Sequence, residues 1–438
     1  DDVMRREMRQ MEGGYLSNAA VDRSKQRLQR LPFIEKVEVA TDPVPGTPDL
    51  VDVNYTVKEG LPGQFSGGIG YSASQGIMLN GSFVHSNFLG TGERVALEAN
   101  GGAYSKVFSL SHTDPYTTVD GLSRTIQATY RRINQFTASA SSFKTQTGSV
   151  GVDYGWPISE FQSLRAGVSA QRSDLFTDPN TSAAESVYWV QHNGNPYTEN
   201  SNSGVPPIHF QYYGTKFDTY AVGLGWGFDS RNRAIFADAG ARMRVNASYA
   251  LPMSGVDYYF LNADYLQFIP LWKQFTLMFN GEVGYGAALG STTSLPPYLN
   301  FFGGGPDSVR GYRESYLGPR DSWGNPYGGN LRVAGQMELL MPMPEKWRSS
   351  ARFSAFFDIG NVFSTSGVNF VGRDGVTPVD YHFAFDKLRY STGVAVQWLA
   401  PLGVFRFSYA VPLNPYKGDT VHYKDETEGF QFSIGQAF

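Results

Sequence analysis

The chain has 438 residues with 36 basic and 40 acidic side chains, enough for two or three soluble domains or one large barrel. Its net charge of −4 argues against a nucleic-acid partner, which would call for a basic surface. With no cysteine, disulfides and thiol chemistry are excluded.

Residues 1–60 read as a small α+β module. VMRREMRQM and SNAAVDRSKQRLQRL carry apolar positions at helical spacing, with Ser17 a fitting N-cap and Leu31-Pro32 closing the second helix. VEVAT and LVDVNYTVKE then alternate as strands joined by the turn DPVPGTPD.

After Gly60 the helical period disappears. Mean hydropathy is −0.30 and no apolar run is long enough for a transmembrane helix. A membrane β-barrel escapes that test, because lipid-facing residues alternate with polar lumenal ones. In FDTYAVGLGWGF, Tyr220, Val222, Leu224, Trp226 and Phe228 face one way against Thr219, Ala221 and three glycines. In FTLMFNGEVGY, Phe275, Leu277, Phe279, Val283 and Tyr285 oppose Thr276, Asn280 and Glu282. Sixteen such segments run from about Gln64 to Phe438. A soluble sandwich would put the small-residue face inside, yet here the large apolar face is the continuous one.

The connections alternate as well. NFLGTGE, DPYTTVDG, WPISEF, the Pro270 region, PMPEKW and LAPLG are short, whereas residues 174–214, 286–330, 361–386 and 413–428 form long loops. The expected fold class is mainly β: a 16-stranded antiparallel transmembrane barrel over residues 61–438, preceded by the α+β module at 1–60, with both termini on the short-turn side.

VRGY in a long loop, FFDIGNVF on a later strand and an aromatic terminal strand resemble the BamA family of outer-membrane assembly proteins. NFLGTGE, DPYTTVDG, SLRAGV and LAPLGVFRFSYA are similar to barrel segments of that family in the same order. MRREMRQMEGGYLS and LVDVNYTVKEG resemble its last, barrel-proximal POTRA domain. That domain is built β-α-α-β-β, and this sequence opens at the first helix. The resemblance therefore implies a partial POTRA domain lacking its first strand, on a chain truncated at the N-terminus. The absence of a signal peptide before Asp1 also reads as a mature or trimmed product.

In FFGGGPDSVRGYRESYLGP, three glycines precede Arg310. A phosphate cradle would need a following helix and a Lys-Ser/Thr at fixed spacing, and neither is present. Alternation offers another destination. On LRVAGQMELLM, Leu331, Val333, Met337, Leu339 and Met341 face lipid and turn Gln336 and Glu338 inward. On ARFSAFFDIG, Phe353, Phe357 and Ile359 face lipid and turn Arg352, Ser354 and Asp358 inward. Two carboxylates on neighbouring strands call for a cation, and Arg310 supplies a planar fork. The resemblance implies the same arrangement: Val309, Arg310, Gly311 and Tyr312 fold back into the lumen, and the arginine meets Glu338 and Asp358. A plain loop salt bridge or an acid–base pair are the alternatives, and no nucleophile or pocket accompanies the latter.

Barrel closure must join QFSGGIGYS to GFQFSIGQAF. Gly67, Gly68 and Gly70 crowd the first strand and Gly435 interrupts the last, which weakens a ladder or relieves crowding at a curved corner. The resemblance implies a lateral gate formed by Gln64, Phe65, Ser66, Gly67, Gly68 and Gly70 against Phe430, Phe432, Ser433, Ile434 and Gly435. An unfolded client would add its edge strand there by β-augmentation, without ATP. Arg5 and Arg9, spaced i and i+4, share a helix face with Glu12 nearby. That is an ordinary solvated charged face, or, by resemblance, the contact with the lipoprotein BamD.

His85, His112, His192, His209, His382 and His422 are scattered without metal-ligand spacing, and no cofactor or metal is expected. Asn180-Thr-Ser is a chance glycosylation match, and residues 174–214 read as a surface cap over the lumen. The resemblance implies a non-enzymatic assembly factor of the bacterial outer membrane, its POTRA domain periplasmic. Its partners would be BamD, other Bam lipoproteins, unfolded outer-membrane clients and membrane lipids. The alternative is a two-partner-secretion-type translocating channel of the same superfamily, whose plug helix is not seen here. A passive porin would lack the VRG loop, and an outer-membrane hydrolase would need a Ser/His/Asp constellation.

Overall fold

The computed structural model describes residues 2–435 apart from residues 30, 48, 73–75, 119, 136–141, 179–181, 204–207, 234–235, 348–349, 366 and 401–402. The glycosylation match at Asn180 and the end of the last strand at Phe438 lie outside the described residues.

In the N-terminal module, α1 (Asp2–Glu7) and α2 (Asn18–Gln29) pack on an antiparallel hairpin of β1 (Ile34–Pro43) and β2 (Val51–Glu59). Leu28, Phe33, Ile34 and Val37 form its core, covered by Val3, Met4 and Met8. Ser17 starts α2, its carbonyl accepting from the Val21 amide at 2.9 Å. The first helix departs from its periodic pattern by ending at Glu7 rather than continuing to Met11. The cause is Ser24, whose buried hydroxyl accepts from the amides of Arg9 (2.7 Å) and Gln10 (3.2 Å) and so draws the chain out of the helix. Arg9 is thus off the helix, and the shared helical face expected of Arg5, Arg9 and Glu12 does not form.

The remaining elements are β3 (Gly63–Ser72), β4 (Gly76–Phe88), β5 (Glu93–Gly102), β6 (Ser105–Asp114), β7 (Ser123–Gln135), β8 (Ser142–Ser159) and β9 (Gln162–Thr177). Helix α3 (Ala184–His192), β10 (Asn195–Ser203), β11 (Ile208–Asp229), β12 (Gly240–Ala250), β13 (Tyr258–Pro270) and β14 (Thr276–Ala288) follow. The chain then runs through β15 (Leu331–Met341), β16 (Ala351–Phe363), β17 (Phe370–Val371), β18 (Pro378–Val379), β19 (Arg389–Ala400), β20 (Gly403–Pro412) and β21 (Phe430–Gly435). Sixteen of these strands close one antiparallel barrel, from β3 round to β21, and β21 meets β3. β10 pairs only with the first half of β11, and β17–β18 is a small bridge within a loop. The stretch 174–214 is therefore mostly ordered secondary structure.

Period-2 alternation sets the two faces of the wall. Ile69, Leu79, Leu97, Phe108, Val150, Val168, Leu224, Val283, Val394 and Tyr409 all point outward and are exposed, forming the apolar belt of a membrane barrel. Short turns gather at the end carrying the helices, and long connections at the distal rim. There α3 turns Trp189 and Val190 inward onto Leu295 and Tyr298 of the 289–330 loop, and the Trp189 indole donates to the Ser294 carbonyl at 3.0 Å.

The module is docked on the short turns. Tyr116, after β6, donates to Glu7 at 2.7 Å and accepts from Arg27 at 2.8 Å, while Arg27 pairs with Glu7 at 2.7 Å. Burial, and next the hydrogen bond to Glu7, hold the Tyr116 phenol above its ordinary pKa, so it remains a donor.

Candidate functional site

The loop between β14 and β15 runs down into the lumen. Gly304, Gly305 and Gly311 adopt φ of +90°, +92° and +87°, and a Cβ on Gly311 would stand 3.0 Å from Ala410 Cβ on the wall. This glycine-rich run turns the chain tightly and lets it lie against β20.

Arg310 is 4% exposed. Its Nε donates to Asp358 Oδ2 at 2.7 Å and its Nη2 to Asp358 Oδ1 at 2.7 Å, a bidentate pair. Nη1 reaches Glu338 Oε1 at 2.5 Å, and the Arg310 backbone amide donates to Asp358 Oδ2 at 3.0 Å. The guanidinium lies 3.5 Å from the centre of the Phe356 ring, which projects from β16 opposite Glu338 and two residues before Asp358. Phe356 in turn lies over Gly393 of β19, its register partner. Val309 and Tyr312 are fully buried, and the Tyr312 hydroxyl sits 3.4 Å from the Tyr390 carbonyl. The six lock residues singled out in the sequence thus stand together. Glu338 and Asp358 are near neighbours without being register partners, because Asp358 faces Gln336.

Sequence reasoning missed Gln431. Its carboxamide is buried, accepting from the Gly311 amide at 3.3 Å and donating to the Tyr312 carbonyl at 2.8 Å. Just upstream, the Glu428 amide donates to the Gly311 carbonyl and the Arg313 amide to the Glu426 carbonyl, each at 2.9 Å. The VRGY segment therefore pairs, strand-like, with the residues that lead into and begin β21. Alternation alone places Gln431 inward, but nothing local names its partner. Gln431→Leu keeps the bulk and leaves the buried Gly311 amide without its acceptor, a cost of about 1–3 kcal/mol. Hydrogen exchange is expected to rise together at residues 309–313 and 428–432, and a rise confined to one segment would show the two to be uncoupled.

At the seam β3 pairs with β4 from Gly63 to Ser72, and among the described residues its other edge meets β21 at the register pair Ile434↔Tyr71. That register sets Gly435 opposite Gly70 and leaves Gln64, Phe65, Ser66, Gly67 and Gly68 with no partner strand on that side among the described residues. Phe65 is 83% exposed. Side chains on the lipid face also meet across the seam: Tyr71 lies 6.0 Å from Phe432, which stacks on Phe407 at 4.9 Å. An unpaired strand edge at membrane depth is a template for another strand.

Arg5, Arg9 and Glu12 are exposed on and after α1, with the Arg9 guanidinium turned back to the Arg6 and Met8 carbonyls. No cluster of His, Asp and Glu suited to a metal ion occurs among the described residues.

A family model for the Omp85 superfamily domain matches residues 87–438, and one for the POTRA domain (surface antigen variable number repeat) matches residues 1–60. The chain belongs to the Omp85 superfamily. Among Omp85 relatives it is 33% identical to the outer membrane protein assembly factor BamA of Neisseria meningitidis serogroup B, all of this chain aligning with 55% of the relative. Against BamA of Nitratidesulfovibrio vulgaris the identity is 25%, over all of this chain and 49% of the relative. The chain thus spans about half the length of these relatives. The crystal structure of BamA from Haemophilus ducreyi lacking POTRA domains 1–3 superposes with a TM-score of 0.82 at 28% identity, covering 100% of this chain and 82% of that one. With its closed 16-stranded wall and exposed apolar belt, this Omp85 chain is an outer-membrane β-barrel protein.

Proposed function

We propose that the protein folds and inserts outer-membrane β-barrel proteins by offering the edge of β3 at Gln64, Phe65 and Ser66 to a client strand. The observation that carries this reading is the register set by Ile434↔Tyr71, in which Gln64, Phe65 and Ser66 meet no described residue of β21, with Phe65 83% exposed. A client strand adds to that edge by β-augmentation, further hairpins follow, and the new barrel leaves into lipid. The driving force is the client's own burial of apolar surface and closure of its backbone hydrogen bonds, so the step needs no ATP. Val309–Tyr312 with Glu338 and Asp358 brace the inner wall beside the gate. Residues 1–60 lie in the periplasm, where the exposed Arg5, Arg9 and Glu12 contact BamD and further Bam lipoproteins approach. The protein acts as a scaffold and not as an enzyme.

A disulfide across the seam tests the gate, aided by the lack of native cysteine. The register places Gly70→Cys opposite Gly435→Cys, at a separation that antiparallel partners bridge. In the full-length protein with its complex, oxidation is expected to reduce folding of an unfolded barrel client to background, with recovery on adding reductant. Unchanged folding with the seam locked would sink the lateral route.

A further inference from the structure

The outward wall carries an unbalanced charge cluster at the distal rim. Lys106 on β6 is the direct register partner of Arg132 on β7, and both are exposed. Arg132 faces Gln146 on β8, which sets Lys144 diagonally from it, two residues nearer the rim. Like charges directly opposite on neighbouring strands repel. Around the same rim, β9 and β11 balance their charges: Arg172 pairs with Asp218 at 2.7 Å and Asp174 lies 3.8 Å from Lys216. Lys106, Arg132 and Lys144 have no ion pair among the described residues, and Lys144 instead lies 5.7 Å from the centre of the Phe176 ring.

Below this row the lipid-facing wall is concave. Phe108 and Tyr130, register partners, make a ridge. On one side a depression of about 660 Å³ has Ala128 and Gly148 among its lining residues. On the other, one of about 630 Å³ includes Gly81, Ala99 and Gly101 and reaches Lys106. Small residues make room there for chains to lie against the wall.

We propose that this surface binds a phosphorylated, multiply acylated glycolipid of the lipid A type. Lys106, Arg132 and Lys144 meet its phosphates, and its acyl chains fill the depressions on both sides of the Phe108–Tyr130 ridge. The occupant must be an amphiphile, because the site joins an apolar, bilayer-facing groove to a cationic rim. Three cations above two grooves suit a head with more than one phosphate and several chains better than a two-chain lipid with one phosphate. Long basic side chains reach a headgroup while their stems stay against the apolar wall. The leaflet follows from the orientation proposed above, in which the distal rim faces outward, whereas the binding chemistry does not depend on the gate.

Native mass spectrometry of the full-length protein, titrated with bis-phosphorylated lipid A, dephosphorylated lipid A or phosphatidylglycerol, tests the site. Lys106→Ser with Arg132→Ser is expected to weaken bis-phosphorylated lipid A by about tenfold. Lys216→Ser, which removes a paired cation on the same rim, is expected to leave binding unchanged, and dephosphorylated lipid A should not distinguish the proteins. Gel mobility of unheated samples confirms that both variants fold. Equal binding of bis-phosphorylated lipid A to wild type and double variant would overturn the site. Displacement by phosphatidylglycerol at equal concentration would overturn the glycolipid assignment. Failure of the seam cross-link to stop client folding would leave this site standing.

Discussion

Arg310→Ala is expected to destabilise the barrel by about 3–5 kcal/mol, the usual consequence of leaving buried carboxylates without their cation. Asp358 is fully buried and accepts from the Arg310 guanidinium and backbone amide, and Glu338 is 3% exposed. Removing the guanidinium strands both charges and uncovers the Phe356 ring. Arg310→Lys keeps the charge, but one ammonium cannot span both Asp358 oxygens, reach Glu338 and lie flat on the ring. It is expected to lose about half as much. Arg310→Met combined with Glu338→Gln and Asp358→Asn removes every charge and should restore most of the stability. The temperature at which the folded band converts to the unfolded one on a semi-native gel measures all three. An unchanged transition in Arg310→Ala would show that the triad does not hold the wall.

Gly393→Val is expected to be the most damaging small-to-large change near the lock, costing about 2–3 kcal/mol in stability and displacing the loop as well. A Cβ on Gly393 would stand 2.8 Å from Ala410 Cα and 2.9 Å from Phe356 Cζ, and closer still to the Tyr409 carbonyl oxygen. Backbone atoms of β20 cannot yield without breaking the ladder, so Phe356 must lift. Arg310 rests on that ring and moves with it, lengthening its reach to Asp358. Trypsin cleavage after Arg310 reads this out, since Arg310 is buried while the loop lies in the lumen. Cleavage at the wild-type rate in folded Gly393→Val would separate the aromatic platform from the lock.

Strict alternation on LRVAGQMELLM and ARFSAFFDIG placed Glu338 and Asp358 on the inner wall, because a one-residue slip would turn a charge into lipid. Where the pattern depended on partners distant in sequence it fell short. The periodic run VMRREMRQM promised a helix through Met11, but Ser24 takes the amides that a longer helix would bond to itself. Composition marked 174–214 as a loop, yet β9, α3, β10 and β11 fill most of it, because Trp189 and Val190 bury against Leu295 and Tyr298.

Residues 61–438 determine by themselves that a barrel forms and which side chains meet lipid, since both follow from period-2 alternation and from short turns at one end. The residue types also show that Arg310 requires carboxylates. Only the tertiary structure decided that Phe356 would rest on Gly393 and carry the guanidinium, that Gln431 would join the VRGY segment to the last strand, and that Ile434 of β21 would meet Tyr71 of β3. The physical reason is the same in each case. Alternation is a local property of one strand, whereas register, stacking and closure depend on how sixteen twisted strands share the strain of closing a ring, and no single segment records that.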